Sequence, residues 1–260
     1  MLELARLKSE TVVRGAILGA SAGNLAMSFA RTNEDLEAIQ RLRYQVFTAE
    51  MNAVFPEAVD GLDIDRFDPW CDHIMVKETS TGQVVGTYRL LTPENARRAG
   101  GYYSESEFDL STLGNIRHEC VETGRSCTHP DYRSGAVIML LWTGLTRFMW
   151  RGGYRYLLGC ASVSLRDDGA TAAEVWRVAQ KSMADHPEVP QLTPLHRYPV
   201  EKLSSVLPAR VPPLIKGYLN VGATICGEPA WDPDFNTADF PVLLDMERMD
   251  ERYRKHFGLM

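Results

Sequence analysis

Apolar and polar residues alternate over positions 25–30 with the period of a strand. Asn33-Glu34-Asp35 then opens a stretch in which Leu36, Ile39, Leu42, Val46 and Phe47 recur at helical spacing, predicting a capped helix to about Met51. Residues 55–71 break the pattern with acids, Pro and Gly and predict a loop, long for a compact domain and for that reason a functional candidate. Two β-rich runs follow, 73–77 and 84–91, joined by Ser80-Thr81-Gly82-Gln83 as an antiparallel hairpin, and a third extended run covers 117–128. His129-Pro130-Asp131-Tyr132-Arg133-Ser134-Gly135-Ala136 is a turn that leads straight into an apolar helix over 137–150, with Gly152-Gly153 as its stop and a buried-strand pattern over 156–163 beyond it. That order is one βαβ unit. A helix over 170–182, a Pro-rich connector near 187–213, a short helix ending at Gly222, a strand over 238–245 and a charged helix over 246–257 complete the chain.

A mixed sheet around one βαβ unit makes this an α+β fold. Too little chain follows the connector to build a second core, so residues 25–260 are expected to form one domain, with 1–24 as an N-terminal extension. With 45% hydrophobic and 24% charged residues the composition is globular, which removes disordered and fibrous classes. Acids outnumber bases 34 to 28, giving net charge −6, so nucleic acid is not an expected partner. Five cysteines without a regular spacing predict a reducing, cytoplasmic compartment rather than a disulfide framework. Ala20-Ser21-Ala22 looks like a signal-peptidase site, but Glu3 and Glu10 occupy the region that should be basic, so no signal peptide is expected. No apolar run reaches the roughly 20 residues that span a bilayer, so membrane contact would be peripheral, through residues 1–20 or the terminal helix.

The densest chemistry lies at Glu122-Thr123-Gly124-Arg125-Ser126-Cys127-Thr128 and the turn after it. A strand carrying an acid and a base runs into a helix N-terminus whose free N–H groups can hold an anion. Glu122 and Arg125 stand three apart and face opposite sides of a regular strand, unless a bulge at Thr123-Gly124 resets the alternation. As a competing reading, the two form a structural ion pair. Asp63, Asp65 and Asp68 lack the Gly and distal Glu of an EF-hand; they either fix Arg43 and Arg89 by ion pairing or meet a substrate ammonium, and scaffolding is the favoured reading. Cys71-x-His73 and His118-x-Cys120, with Cys127 and His129, lack finger spacing, so no metal is expected. Cys127 has no identifiable His partner, which argues against a nucleophile. Arg133, Arg147, Arg151 and Arg155 are either ordinary surface cations or, beside the phosphate turn, a basic face for an acidic partner.

The strand–turn–helix order and the Arg-Ser-Gly-Ala turn resemble the Gcn5-related N-acyltransferase (GNAT) fold, with its splayed mixed sheet. Leu42-Arg43-Tyr44-Gln45-Val46-Phe47, Asp65-Arg66-Phe67-Asp68, Gly86-Thr87-Tyr88-Arg89 and Glu122-x-x-Arg125 are similar to the ordered signature of acyl-homoserine-lactone synthases. Cys71-Asp72-His73, Gly159-Cys160-Ala161-Ser162 and Gly227-Glu228-Pro229-Ala230-Trp231-Asp232 extend the resemblance to bacterial L-ornithine N-acyltransferases over residues 25–244.

The resemblance implies transfer of a long-chain 3-hydroxyacyl group from acyl carrier protein to the α-amine of L-ornithine, giving lyso-ornithine lipid at the inner membrane surface. Glu122 becomes the general base and Arg125 its catalytic companion. Ser126, Cys127, Thr128, Arg133, Ser134, Gly135 and Ala136 become the phosphopantetheine site, with an oxyanion-holding N–H in 126–128. Arg43, Phe47, Asp65, Asp68 and Arg89 shape the site. No metal, covalent intermediate or cofactor beyond the carrier's phosphopantetheine is implied. Lysine, glutamine, glycine or tyrosine as acceptor, homoserine-lactone formation, and a catalytically silent carrier-binding module are the alternatives.

Overall fold

A computed structural model describes residues 19–51, 53, 55, 60–202 and 210–259. The strands are β1 (Ala20–Ala22), β2 (Leu25–Phe29), β3 (Asp72–Glu78), β4 (Val84–Leu91), β5 (Phe108–Asp109), β6 (Cys120–Thr128), β7 (Tyr156–Ser164), β8 (Thr193–Pro194), β9 (Thr224–Ile225), β10 (Ala230–Asp232) and β11 (Thr237–Asp245). The helices are α1 (Asn33–Met51), α2 (Pro93–Ala99), α3 (Ala136–Gly152), α4 (Ala170–Asp185), α5 (Pro213–Asn220) and α6 (Glu251–His256).

Nine strands form one twisted sheet in the order β1-β2-β3-β4-β6-β7-β11-β10, with β9 also on β11; β5 and β8 pair separately. Every pair in it is antiparallel except β6 and β7, which α3 connects as the expected βαβ unit. Because side chains alternate across a strand, each strand serves two layers. Ile74, Val76, Val85, Tyr88, Leu90 and Val121 pack under α3 in the main core, while Met75, Val84 and Cys127 pack against Ile39, Leu42 and Val46 of α1 on the opposite face. A third cluster, built on Phe67, Tyr102, Phe108, Leu110 and Cys120, continues that second face toward β7 and β11.

Several boundaries differ from the sequence-based expectation. The third extended run begins at Cys120, not at 117, since residues Ser111–Glu119 wind into 3-10 turns broken at Gly114. The sheet begins before residue 25: β1 adds an edge strand to β2, so only residues 1–18 of the expected extension lie outside the described residues. The terminal helix is split, because Met249 is extended and Asp250 caps a fresh start by accepting from Arg252 N. Its apolar face is already used, Phe257 stacking on Trp142 in the main core. Tyr253 and Phe257 of this helix thus pack toward the main core. The described part of the Pro-rich connector packs as well, with β8 on β5 and Leu192 bridged to Gly227.

Candidate active site

The site is created where β6 and β7 part. Their ladder runs from Cys120–Tyr156 to Thr123–Gly159 and stops, leaving the β7-facing main-chain edge of residues 124–128 outside any strand ladder. Gly159 makes the last rung possible: a Cβ there would stand 2.6 Å from the Thr123 carbonyl oxygen. On the other edge of β6, Arg89 pairs with Gly124 but Thr87 pairs with Cys127, so three residue steps on β6 oppose two on β4. The bulge therefore exists, but one residue later than expected: Arg125 carries it in the left-handed region, at φ +51°. It turns Glu122, Arg125 and Cys127 to the α1 face and leaves Thr123 on the α3 face beside the Tyr88 hydroxyl.

Glu122 is buried and lines the resulting cavity. Its Oε1 accepts from Ser104 N at 2.7 Å and Ser104 Oγ at 2.6 Å, and its Oε2 accepts from Tyr103 N at 2.8 Å. These donors sit at the start of the 3-10 turn Tyr103–Ser106, which aims main-chain N–H groups at the carboxylate. Burial pushes the Glu122 carboxyl up and exceeds the opposing pull of those hydrogen bonds and of Arg89, leaving a stronger base than an exposed glutamate.

Behind this wall lies a closed charge network. Arg43, fully buried, donates through Nε to Asp63 Oδ2 at 2.9 Å and through Nη1 and Nη2 to the two Asp68 oxygens at 3.0 and 2.8 Å. Arg89 reaches Asp65 at 2.5 Å and Asp68 at 3.0 Å, and Gln40 Nε2 adds a bond to Asp68 at 2.8 Å. Arg125 completes it at 3.3 Å from both Asp63 and Asp65, its guanidinium over the rings of Tyr103 and Phe235 at 5.1 and 4.7 Å. Burial alone would raise the Asp68 carboxyl, but Arg43 and Arg89 outweigh it and hold it far below the carboxylate range. The acidic loop thus matches three aspartates to three arginines, and Glu122 and Arg125 form no pair with each other.

The cavity has two ends. Tyr103, Ser104, Arg89, Arg125 and Glu122 define a polar end, whereas Leu145, Leu157, Ile215, Tyr218, Val242 and Leu244 line an apolar end under α3 and α5. Phe47, Met51, Ser126 and Trp142 also border a neighbouring, largely apolar cavity of roughly 520 Å³, walled by Ile138, Met139, Leu214 and Phe257. Thr128, Arg133 and Gly135 lie on its rim, where Gly135 (φ +94°) caps α3 and leaves the first N–H groups of that helix free of intrahelical partners. Ser134 and Ala136 line neither cavity. Arg133 pairs with Glu50 at the surface.

Arg147, Arg151 and Arg155 do not stand beside this turn. α3 has 17 residues, about 25 Å of helix: Arg147 lies about three turns along it, where it bonds the Gly19 carbonyl, Arg151 is in its last turn, and Arg155 is beyond it, bonded to Asp245. Burial pushes the Cys127 thiol up to about 12, so it carries no thiolate near neutrality. Among the described residues, the cysteines and histidines considered for a metal bring no three ligands together.

Three carboxylates do cluster, and sequence reasoning missed them. Glu107, Asp232 and Asp239 place one oxygen each within 4.8 Å of one another, and Asp232 and Asp239 face the polar end of the cavity. They come from the end of the 3-10 turn, β10 and β11, so no spacing rule links them. Sequence reasoning also missed Tyr103 and Ser104; the only local signal nearby is Thr92-Pro93, the capped start of α2.

A splayed sheet, a bulged central strand, a helix-capping turn and a buried carboxylate at the fork define an acyltransferase of the GNAT class. Residues 42–143 match the family described as Acetyltransferase (GNAT) domain. In fold, the chain is similar to FeeM, an N-acyl amino acid synthase from uncultured soil microbes (TM-score 0.53, 12% identity, 91% of this chain and 98% of that one). It is also similar to BjaI, a CoA-dependent acyl-homoserine lactone synthase (TM-score 0.51, 16% identity, 87% and 83%). In sequence it is 36% identical to the L-ornithine N(alpha)-acyltransferase of Brucella abortus, over 94% of this chain and 92% of that protein. It is 35% identical to the protein of the same name from Rhizobium meliloti, over 93% and 86%. The chain belongs to the L-ornithine N(alpha)-acyltransferase family.

Proposed function

We propose that the protein transfers a long-chain 3-hydroxyacyl group from the phosphopantetheine of acyl carrier protein to the α-amine of L-ornithine, producing lyso-ornithine lipid. The carrying observation is the position of Glu122: a raised, buried carboxylate at the fork, between an apolar cavity end suited to an acyl chain and a polar end suited to an amino acid. Glu122 takes a proton from the substrate ammonium, directly or through one water. The freed amine attacks the thioester carbonyl, and a main-chain N–H of residues 126–128 holds the oxyanion. The C–S bond then breaks, the C–N bond remains, and the thiolate leaves with the amine's second proton.

Arg125, paired with Asp63 and Asp65 at 3.3 Å, lines the polar end beside Glu122 and orients the acceptor there. Arg43, Asp65, Asp68 and Arg89 keep that wall in register, and Phe47 forms the lip between the two cavities. The unpaired edge of 124–128, Thr128, Arg133 and the Gly135 cap receive the pantetheine arm and its phosphate. An amphiphilic product fits work at a membrane surface. No helix among the described residues is long and apolar enough to cross a bilayer, so that contact would be peripheral.

The test is mass spectrometry after incubation with 3-hydroxyacyl-acyl carrier protein, or the matching coenzyme A thioester, and mixed amino acids. N-acyl ornithine formed from the carrier substrate is the expected product. Another acylated amine would replace the acceptor, preference for the coenzyme A thioester would replace the donor, and carrier binding without product would make the protein a silent carrier-binding module.

A further inference from the structure

Among the described residues, the carboxylate cluster beside the cavity has no cation of its own. Glu107 is only 7% exposed, yet neither of its oxygens has a hydrogen-bond partner. A buried carboxyl in that condition keeps its proton, and a cation placed at the cluster would let it ionise. Asp239 accepts from Thr237 Oγ1 at 2.6 Å and Ser162 Oγ at 3.1 Å; Asp232 accepts from Asp234 N, Phe235 N and, at 3.4 Å, from the Tyr103 hydroxyl. Burial and the Asp239 charge push Glu107 up to about 9, and burial with the Asp232 charge pushes Asp239 to about 6. Arg125, the nearby arginine over the Tyr103 ring, is already committed to Asp63 and Asp65.

Tyr103 measures the gap between this cluster and the chemistry. Its main-chain N–H holds Glu122 while its hydroxyl reaches Asp232, so the two carboxylate sites stand about one tyrosine apart along one cavity wall. That span suits an amino acid with one amine at Glu122 and a second amine at the end of a short methylene chain. Three acceptor groups also match the three N–H donors of a primary ammonium. We propose that Glu107, Asp232 and Asp239 form the subsite for the acceptor's side-chain ammonium and so select a diamino acid of ornithine length over neutral amino acids. This deepens the proposed function and rests on it, because the subsite has a role only if an amino acid is the acceptor.

The experiment compares kcat/KM for ornithine and for norvaline, which has the same side-chain carbons without the ammonium, in the wild type, Glu107→Gln and Asp239→Asn. The ornithine-to-norvaline ratio is expected to fall roughly tenfold or more in each variant, with most of the change in the KM for ornithine. A merely structural role would lower both substrates together and leave the ratio intact, which overturns the proposal. So would restoration of a chelator-sensitive activity by a divalent cation, which would assign the cluster to a metal. A wild type that acylates neither ornithine nor any other diamino acid overturns the proposed function and the subsite with it; a wild type that prefers ornithine, with a preference surviving both substitutions, overturns the subsite alone.

Discussion

Two groups of buried carboxylates stand on the same face of the sheet in opposite conditions. Asp63, Asp65 and Asp68 are matched by Arg43, Arg89 and Arg125, with Arg43 and Arg89 hydrogen-bonded to them and Arg125 paired at 3.3 Å with its Nε left without a hydrogen bond. Asp232 and Asp239 have hydroxyl and main-chain donors and Glu107 has none, and among the described residues no cation pairs with the three. Burial works to raise Asp65 and Asp68 in the first group and Glu107 and Asp239 in the second; the arginines outweigh it at Asp65 and Asp68, whereas the polar side chains around Glu107 and Asp239 do not. The difference separates carboxylates whose charge is fixed by arginines from carboxyls that burial leaves prone to protonation, and it does so without reference to sequence motifs.

The most severe way to break the first group is Arg43→Met. It leaves buried aspartates unmatched and is expected to cost about 3–5 kcal/mol, read by denaturant unfolding. On the catalytic side, Glu122→Gln keeps one oxygen for the Ser104 donors but sets its amide NH2 against the Tyr103 N–H, so some stability is lost with the base; turnover should fall about a hundredfold to ten-thousandfold, read by single-turnover acyl transfer on protein shown to be folded.

The comparison sharpens most in the pH dependence of stability. Asp68, depressed in the folded state, contributes stability that is present above its ordinary value of 3.8 and lost as the pH falls through its lowered folded value. Glu107 has the opposite sign. Its carboxyl rises from 4.5 to about 9 on folding, so the folded state holds an extra proton in that window and stability declines as pH rises through it. Glu122, also raised, acts in the same direction. Glu107→Gln should therefore raise the Tm of the ligand-free protein, by more at about pH 8 than at about pH 5. An equal shift at both values would remove Glu107 from the alkaline limb. The smallest effect belongs to a third setting, solvent: Arg133→Ala breaks an exposed pair with Glu50 and should change stability by about 1 kcal/mol or less in the same unfolding assay.

How legible these regions were follows from how local they are. α1, the β3–β4 hairpin and the β6–α3–β7 unit come from periodicity and turn residues within single stretches, and the structure has them within a few residues. The need for a bulge was legible from the odd spacing of Glu122 and Arg125; its seat at Arg125 was not, since it depends on pairing with β4. The acidic loop announced itself by density. The carboxylate cluster did not, because residues 107, 232 and 239 meet only when β10 and β11 close the far side of the sheet. The distribution of Arg147, Arg151 and Arg155 was misjudged for the reverse reason: nearness in sequence along a helix is distance in space.

The parting of β6 from β7 sets a limit on what the fork can admit. An unpaired strand edge at the rim of a sheet invites any second β-chain and is a standing aggregation hazard. Here the open edge of residues 124–128 lies in the middle of the sheet, walled by the continuous β7–β11 ladder on one side and β4 on the other. Any chain that enters meets β-structure on both sides of that edge. On the proposed reading an unbranched amide-bearing arm is what enters, so the donor's own amides meet the main-chain groups that the parting leaves outside any ladder.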